Sequence, residues 1–227
     1  MPEARAADLR PLRGRPRGFN RETVLAQAAD LFARDGYEGI SVADLAAELG
    51  LNHPSLYAAF GPKSALYREA LDWAEKRWAD QARQALSAPF LMQAMSDLLD
   101  QQVAVFADRR HQGCMLTSAL QTHARDHALE AKHARRLRAA MIGVVRERLD
   151  RATRDGELDR SRDGALLATF IVGQIHGLST LARDGATPEM LRAVAGIALQ
   201  GFGQAARIEA RPMLSQVQNV RPDILAA

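Results

Sequence analysis

The run Ser41-Val-Ala-Asp-Leu-Ala-Ala-Glu-Leu-Gly-Leu-Asn-His-Pro-Ser-Leu-Tyr-Ala-Ala-Phe60 decides the fold. It reads as two short helices joined by a tight turn. Ser41 and Asp44 match a capping box, in which a hydroxyl and a carboxylate serve free N–H groups of the first helical turn. Val42, Leu45 and Leu49 recur at helical spacing and give one apolar face. Gly50 stands where a helix ends in a left-handed residue. Asn52 can cap a second helix. Leu56 and Phe60 point that helix inward, which leaves His53, Pro54, Ser55 and Tyr57 to face out. A helix–turn–helix of this kind sets its second helix in the major groove of DNA. Ordinary helical hairpins use the same turn, so the flanking residues carry weight. Gly61-Pro62-Lys63 opens a further helix, with Pro62 expected at its first position. Lys63 then sits at a helix N-terminus, where backbone N–H groups favour phosphate.

With those flanks in view, residues 21–68 resemble the DNA-binding domain of the tetracycline-repressor (TetR) family of transcriptional regulators. Leu31-Phe32, Gly36-Tyr37, Ile40-Ser41-Val42, Asp44-Leu45-Ala46, Gly50-Leu51, Leu56-Tyr57, Phe60-Gly61, Lys63 and Leu66 carry the likeness. Many relatives have His just before the Phe. Ala59 stands here instead, so any phosphate contact made by that His is absent. The resemblance implies an all-α protein with an N-terminal helix–turn–helix domain and a C-terminal helical domain for ligand binding and dimerisation. It implies phosphate contacts from Tyr57 and Lys63, and repression of a pseudo-palindromic operator relieved by a small molecule.

Charge distribution fits a nucleic-acid partner better than net charge does. The 227 residues carry a formal charge of only +3, although the pI is near 9.4. Residues 1–21 hold Arg5, Arg10, Arg13, Arg15, Arg17 and Arg21 against Glu3 and Asp8. Between positions 49 and 68 the only formal charges are Lys63 and Arg68, both positive. The expected DNA face is therefore basic while its domain is not. Residues 1–19 are read as a flexible arm, with Arg15 and Arg17 able to lie in a minor groove. A solvated tail is the plainer alternative. Ser41 and Ser55 join His53, Pro54, Tyr57 and Lys63 as DNA-contact candidates.

The chain divides as an arm over 1–19, a DNA-binding domain over 20–65, a regulatory and dimerisation domain over 66–208, and a tail over 209–227. With 47% hydrophobic residues, it can bury a sizeable core. Apolar stretches are expected to break well before the ~20 residues of a membrane span. The N-terminal segment lacks the apolar core of a signal peptide, and a single Cys fits a reducing cytoplasm. Helices are expected over 21–34, 62–86, 89–107, 114–124, 129–154, 161–183 and 187–202. The outer Arg and Glu residues of 129–154 read as a solvated face. The last two helices are apolar on more than one side, and such helices are buried twice. One side meets the core and the other meets a second subunit, as in the four-helix dimer interface the resemblance implies. Gly173, Gly177, Ala193, Gly196 and Gly201 permit close approach.

Three constellations remain. Met92, Met95, Phe106, Met141 and Phe170, with Gln174, are ordinary core or the adaptable lining of an effector site, with His176 and Gln121 as further polar groups. His111, Cys114, His123, His127 and His133 lie in the 111–133 segment, which supports the rival reading of a helical enzyme or metal-binding protein. His123 and His127 are four apart, but a break near Asp126 spoils that geometry, and no second Cys supports a zinc site. No metal, cofactor or catalytic residue is expected. Cys114 follows Gly113 at the expected start of a helix, where dipole and free N–H groups lower a thiol pKa. It is a candidate electrophile or oxidant sensor, or simply a small buried hydrophobe.

Overall fold

In a computed structural model, residues 19–108, 114–118 and 127–207 are described. They form α1 (Arg21–Gly39), α2 (Val42–Glu48), α3 (His53–Phe60), α4 (Lys63–Ala85), α5 (Leu91–Ala107), α6 (Met115–Ser118), α7 (Ala128–Arg154), α8 (Gly164–Arg183) and α9 (Pro188–Ala206), with no strand among the described residues. The all-α expectation holds. The arm with Arg15 and Arg17, the residues His111, Gln121 and His123, and the tail from 208 lie outside the described residues.

The N-terminal helices form where their caps place them. Asn20 accepts from the N–H groups of Glu22 and Thr23, and Val24, Ala28, Leu31 and Phe32 form the buried stripe of α1. Regular geometry ends at Gly36, whose φ of +75° suits a residue without Cβ. Tyr37 then turns back into the core. Its ring lies 4.8 Å from Tyr67, which meets Phe32 edge-on at 5.0 Å. The Ser41–Asp44 capping box is present. Gly50, at φ +64°, reverses the chain, and Asn52 Oδ1 accepts from Ser55 N–H at 2.8 Å.

α4 starts one residue later than expected. Pro62 is its N-cap in extended conformation, and Lys63 is its first residue. Tyr67 belongs to the aromatic cluster of the N-terminal helices, while Trp78, eleven positions further on the same rod, donates from Nε1 to Gln102 of α5 at 3.1 Å. One 23-residue helix therefore serves both cores.

The remaining helices pack as a bundle in which α7, α8 and α9 follow one another side by side, and α5 lies against α4, α8 and α9. α8 begins at Gly164, capped by Asp163, three residues later than expected. α9 is capped by Thr187, carries Pro188 in its first turn, and runs one turn further, to Ala206. Two expectations are corrected. Glu130 and Arg148 of α7 are buried, not solvated. Glu130 accepts from Arg68 at 2.9 Å, and Arg148 pairs with Glu157 at 3.1 Å, because a buried charge needs an opposite partner. The second concerns α8. Its 20 residues are long and apolar enough to cross a membrane by length and composition. Here they pack against α5, α7 and α9.

Candidate nucleic-acid interface and its link to the bundle

α3 presents an exposed edge built from consecutive small or flat groups. His53 and Pro54 are exposed and Ser55 is half-buried, while Leu56 and Phe60 lock the opposite face into the core. Tyr57 is 49% exposed. One helical turn separates it from His53, and the two rings stack at 5.5 Å with planes 30° apart. That contact restricts both side chains before any partner arrives, which lowers the entropic cost of using them. The structure thus brings His53, Pro54, Ser55 and Tyr57 onto one surface.

Lys63 flanks this surface from the first residue of α4. It does not extend into solvent. Its ammonium lies 4.6 Å from the Tyr37 ring centroid, a cation–π contact. Burial lowers its pKa, and the nearby Glu38 carboxylate opposes that shift. Ser41 is exposed, but its hydroxyl donates to Asp44 Oδ2 at 2.6 Å and accepts from Asp44 N–H at 3.1 Å. Its proton is therefore already directed to a carboxylate. Arg21, counted by sequence with the basic arm, has an internal task. It pairs with Glu69, donates to the Ala59 carbonyl and caps the Phe60 ring at 4.3 Å.

The surface is tied to the bundle at several points. The ring of His127, at the start of α7, meets Tyr37 at 4.7 Å, and its Nε2 lies 2.5 Å from Glu38. His133 Nε2 lies 2.8 Å from Asp72, without the alignment of a hydrogen bond. Arg183, at the end of α8, donates to the Ala33 carbonyl of α1. Sequence reasoning missed these ties because each joins residues dozens of positions apart. The carboxylates facing His127 and His133 come from α1 and α4 respectively, and among the described residues no group of three His, Cys, Asp or Glu could hold a metal ion.

The expected effector residues do not converge. Met92 and Phe106 are fourteen positions apart on α5, about 21 Å at 1.5 Å per residue, too far for one small ligand. Met95 and Met141 are fully buried. Phe170 lies near Gly201 of α9. Gln174 and His176 are two residues apart on α8, about 160° around the helix, so they face different neighbours.

Cys114 also departs from expectation. Its backbone N–H donates to Ser179 Oγ at 2.8 Å. Burial pushes the thiol pKa up, and hydrogen bonds from the Thr117 and Leu116 backbone only partly oppose it. The expected lowering is opposed because the core crowds the sulfur, and burial outweighs the hydrogen bonds that favour a thiolate.

Comparison with known proteins places this geometry. The family described as bacterial regulatory proteins, tetR family, matches residues 24–70. The HTH-type transcriptional repressor ComR of Escherichia coli (strain K12) is 31% identical over 196 residues, 83% of this chain and 91% of that protein. The HTH-type transcriptional repressor BdcR of the same organism is 30% identical, over 82% of this chain and 90% of its own. A solved structure of a cysteine mutant of the TetR family transcriptional regulator CifR, complexed with 26-bp double-strand operator DNA, is 37% identical. It covers 82% of this chain and 98% of that one, with a TM-score of 0.75.

Proposed function

This chain belongs to the tetR family of bacterial regulatory proteins, and from that premise we propose that it is a ligand-responsive repressor binding a pseudo-palindromic operator as a homodimer. It is a DNA-binding transcription factor, not an enzyme. The observation that carries the reading is the exposed His53–Tyr57 edge of α3, capped by Asn52 and flanked by Lys63, in a chain similar over four-fifths of its length to a regulator complexed with operator DNA.

In this proposal His53, Pro54 and Ser55 reach base edges, Tyr57 and Lys63 hold phosphates, and Ser41 is a further DNA contact. Arg15 and Arg17 belong to the arm that follows the minor groove. Residues 20–65 form the DNA-binding domain and 66–208 the regulatory domain, with α4 as the lever between them. α8 and α9 form the dimer interface. Leu166 and Ile197 are 66% and 68% exposed, and a Cβ at Gly173 or Gly177 would meet nothing within 4 Å. Such an apolar, small-residue face suits close packing against a second copy. The protein acts in the cytoplasm, where operator DNA lies. The test is fluorescence anisotropy with the DNA upstream of its own gene, against a scrambled duplex. Equal affinity for both would refute the operator reading.

A further inference from the structure

Inside the bundle, two half-buried ionisable side chains each keep one nitrogen without the partner that burial demands. Arg138 of α7 keeps Nη1 sealed from solvent with no hydrogen-bond partner, and His176 of α8 does the same with Nε2. Buried polar atoms are nearly always paired, so each orphan calls for an explanation. Their two helices pack along each other, and the Arg138 charge is one of the two causes that hold the His176 imidazole neutral. The neighbouring α6 meets both helices, and Ser179, one turn along α8 from His176, is held by the Cys114 N–H. Among the described residues no carboxylate pairs with Arg138. Arg148 and Arg68, the other inward-facing arginines of this region, each have a carboxylate, Glu157 and Glu130, although Nε and Nη1 of Arg148 also lack a hydrogen-bond partner.

We propose that the small-molecule effector is an organic carboxylate, bound at the α7–α8 junction by Arg138 and His176. This rests on the regulator reading and names the ligand class of its regulatory domain. The guanidinium remains charged and offers a planar fork that a carboxylate matches with two parallel hydrogen bonds. His176, in its Nε2-protonated tautomer, donates to one carboxylate oxygen without adding charge. Two observations agree. His176 is held neutral, with a pKa near 4, by burial and by the Arg138 charge. Arg138 is itself lowered by burial and by Arg135, with only Tyr67 opposing the shift and no carboxylate taking part. The site also lies where it can act on DNA binding. α6, which touches both α7 and α8, packs on α1, so a ligand that draws the junction together moves the seat of the DNA-binding helices.

The test uses the full chain and three matched pairs: hexanoate with hexanamide, benzoate with benzamide, and phenylacetate with phenylacetamide. Hexyl phosphate separates carboxylate from phosphate recognition. Calorimetry should show at least one carboxylate binding about tenfold or more tightly than its amide and than hexyl phosphate, the scale of a charge-assisted hydrogen bond. The same carboxylate should weaken operator binding in anisotropy. Arg138→Gln should abolish its preference over the amide, Arg138→Lys should restore part of it, and the exposed Arg135→Gln should leave it intact, with circular dichroism confirming that each variant is folded. Amides that bind as well as acids, tighter binding of hexyl phosphate, a preference that survives Arg138→Gln, no binding by any carboxylate, or binding that never affects the operator would each overturn the proposal. A parent that binds no operator DNA would instead defeat the regulator reading, while calorimetry would still decide the carboxylate site.

Discussion

The ammonium of Lys63 rests 4.6 Å from the ring centroid of Tyr37, and the same ring meets His127 at 4.7 Å. A candidate phosphate-binding cation and the first turn of α7 thus share one aromatic residue. Lys63→Ala should weaken binding to all DNA sequences alike and reduce the salt dependence by about one counterion. Tyr37→Leu should also weaken it, with Lys63 still present, because the ring that positions the ammonium is gone. Anisotropy titrations over a range of salt concentrations measure both. A Tyr37→Leu variant with parental affinity would show that the ring does not position Lys63 for DNA.

His53 should behave differently. Replacing it with Ala removes a group placed at the groove-facing start of α3, so discrimination between operator variants should change by about 1–3 kcal/mol at one base pair per half-site. The salt slope should stay near the parental value. Competition against a library of single-base operator variants reads this directly. Uniform weakening across the library would assign His53 to the backbone instead.

The double substitution Leu166→Glu, Ile197→Glu places charge on the exposed apolar face of α8 and α9. Sedimentation should show a dimer for the parent and a folded monomer for the variant, since neither side chain is needed in the monomer core. Operator affinity should fall steeply, because a two-fold dimer presents two recognition helices about 34–36 Å apart. A variant that remains dimeric would move the interface elsewhere.

His176 makes stability sensitive to acid. Its folded pKa is about 4, below the ordinary value of 6.5. Between those values the unfolded chain binds more protons, so stability is lost as pH falls below about 6.5. The loss levels off below about 4 and is of order 3 kcal/mol. Urea denaturation at stepped pH, followed by circular dichroism, should show a shallower decline for His176→Gln over this window. Parallel curves would mean that the imidazole is better solvated than its position suggests.

Burial keeps the Cys114 thiol protonated at neutral pH. Its alkylation by iodoacetamide should therefore be slower than that of a small free thiol at pH 7, and should accelerate as pH rises past 9. Operator release by a thiol reagent at pH 7 that is lost in Cys114→Ser would restore the sensor role that burial argues against.

The sequence alone determined what local chemistry controls. The caps at Asn20, Ser41, Asn52 and Thr187, the chain reversal at Gly50 and the apolar spacing of α1 to α4 are each set within a few residues. Every one of them was readable without coordinates. The recognition surface belongs to this class, since Leu56 and Phe60 fix which side of α3 faces out. Only the tertiary structure decided where α7 and α8 place their polar groups. Arg138, Arg148 and Glu130 look alike in an Arg-rich helix. Which of them is solvated, paired or sealed without a partner depends on neighbours outside α7, among them Arg68, Glu157 and His176. A carboxylate site at the α7–α8 junction, a lysine held by Tyr37 and a thiol pushed up by burial are products of that packing. Helical periodicity carries no record of which distant helix will lie opposite.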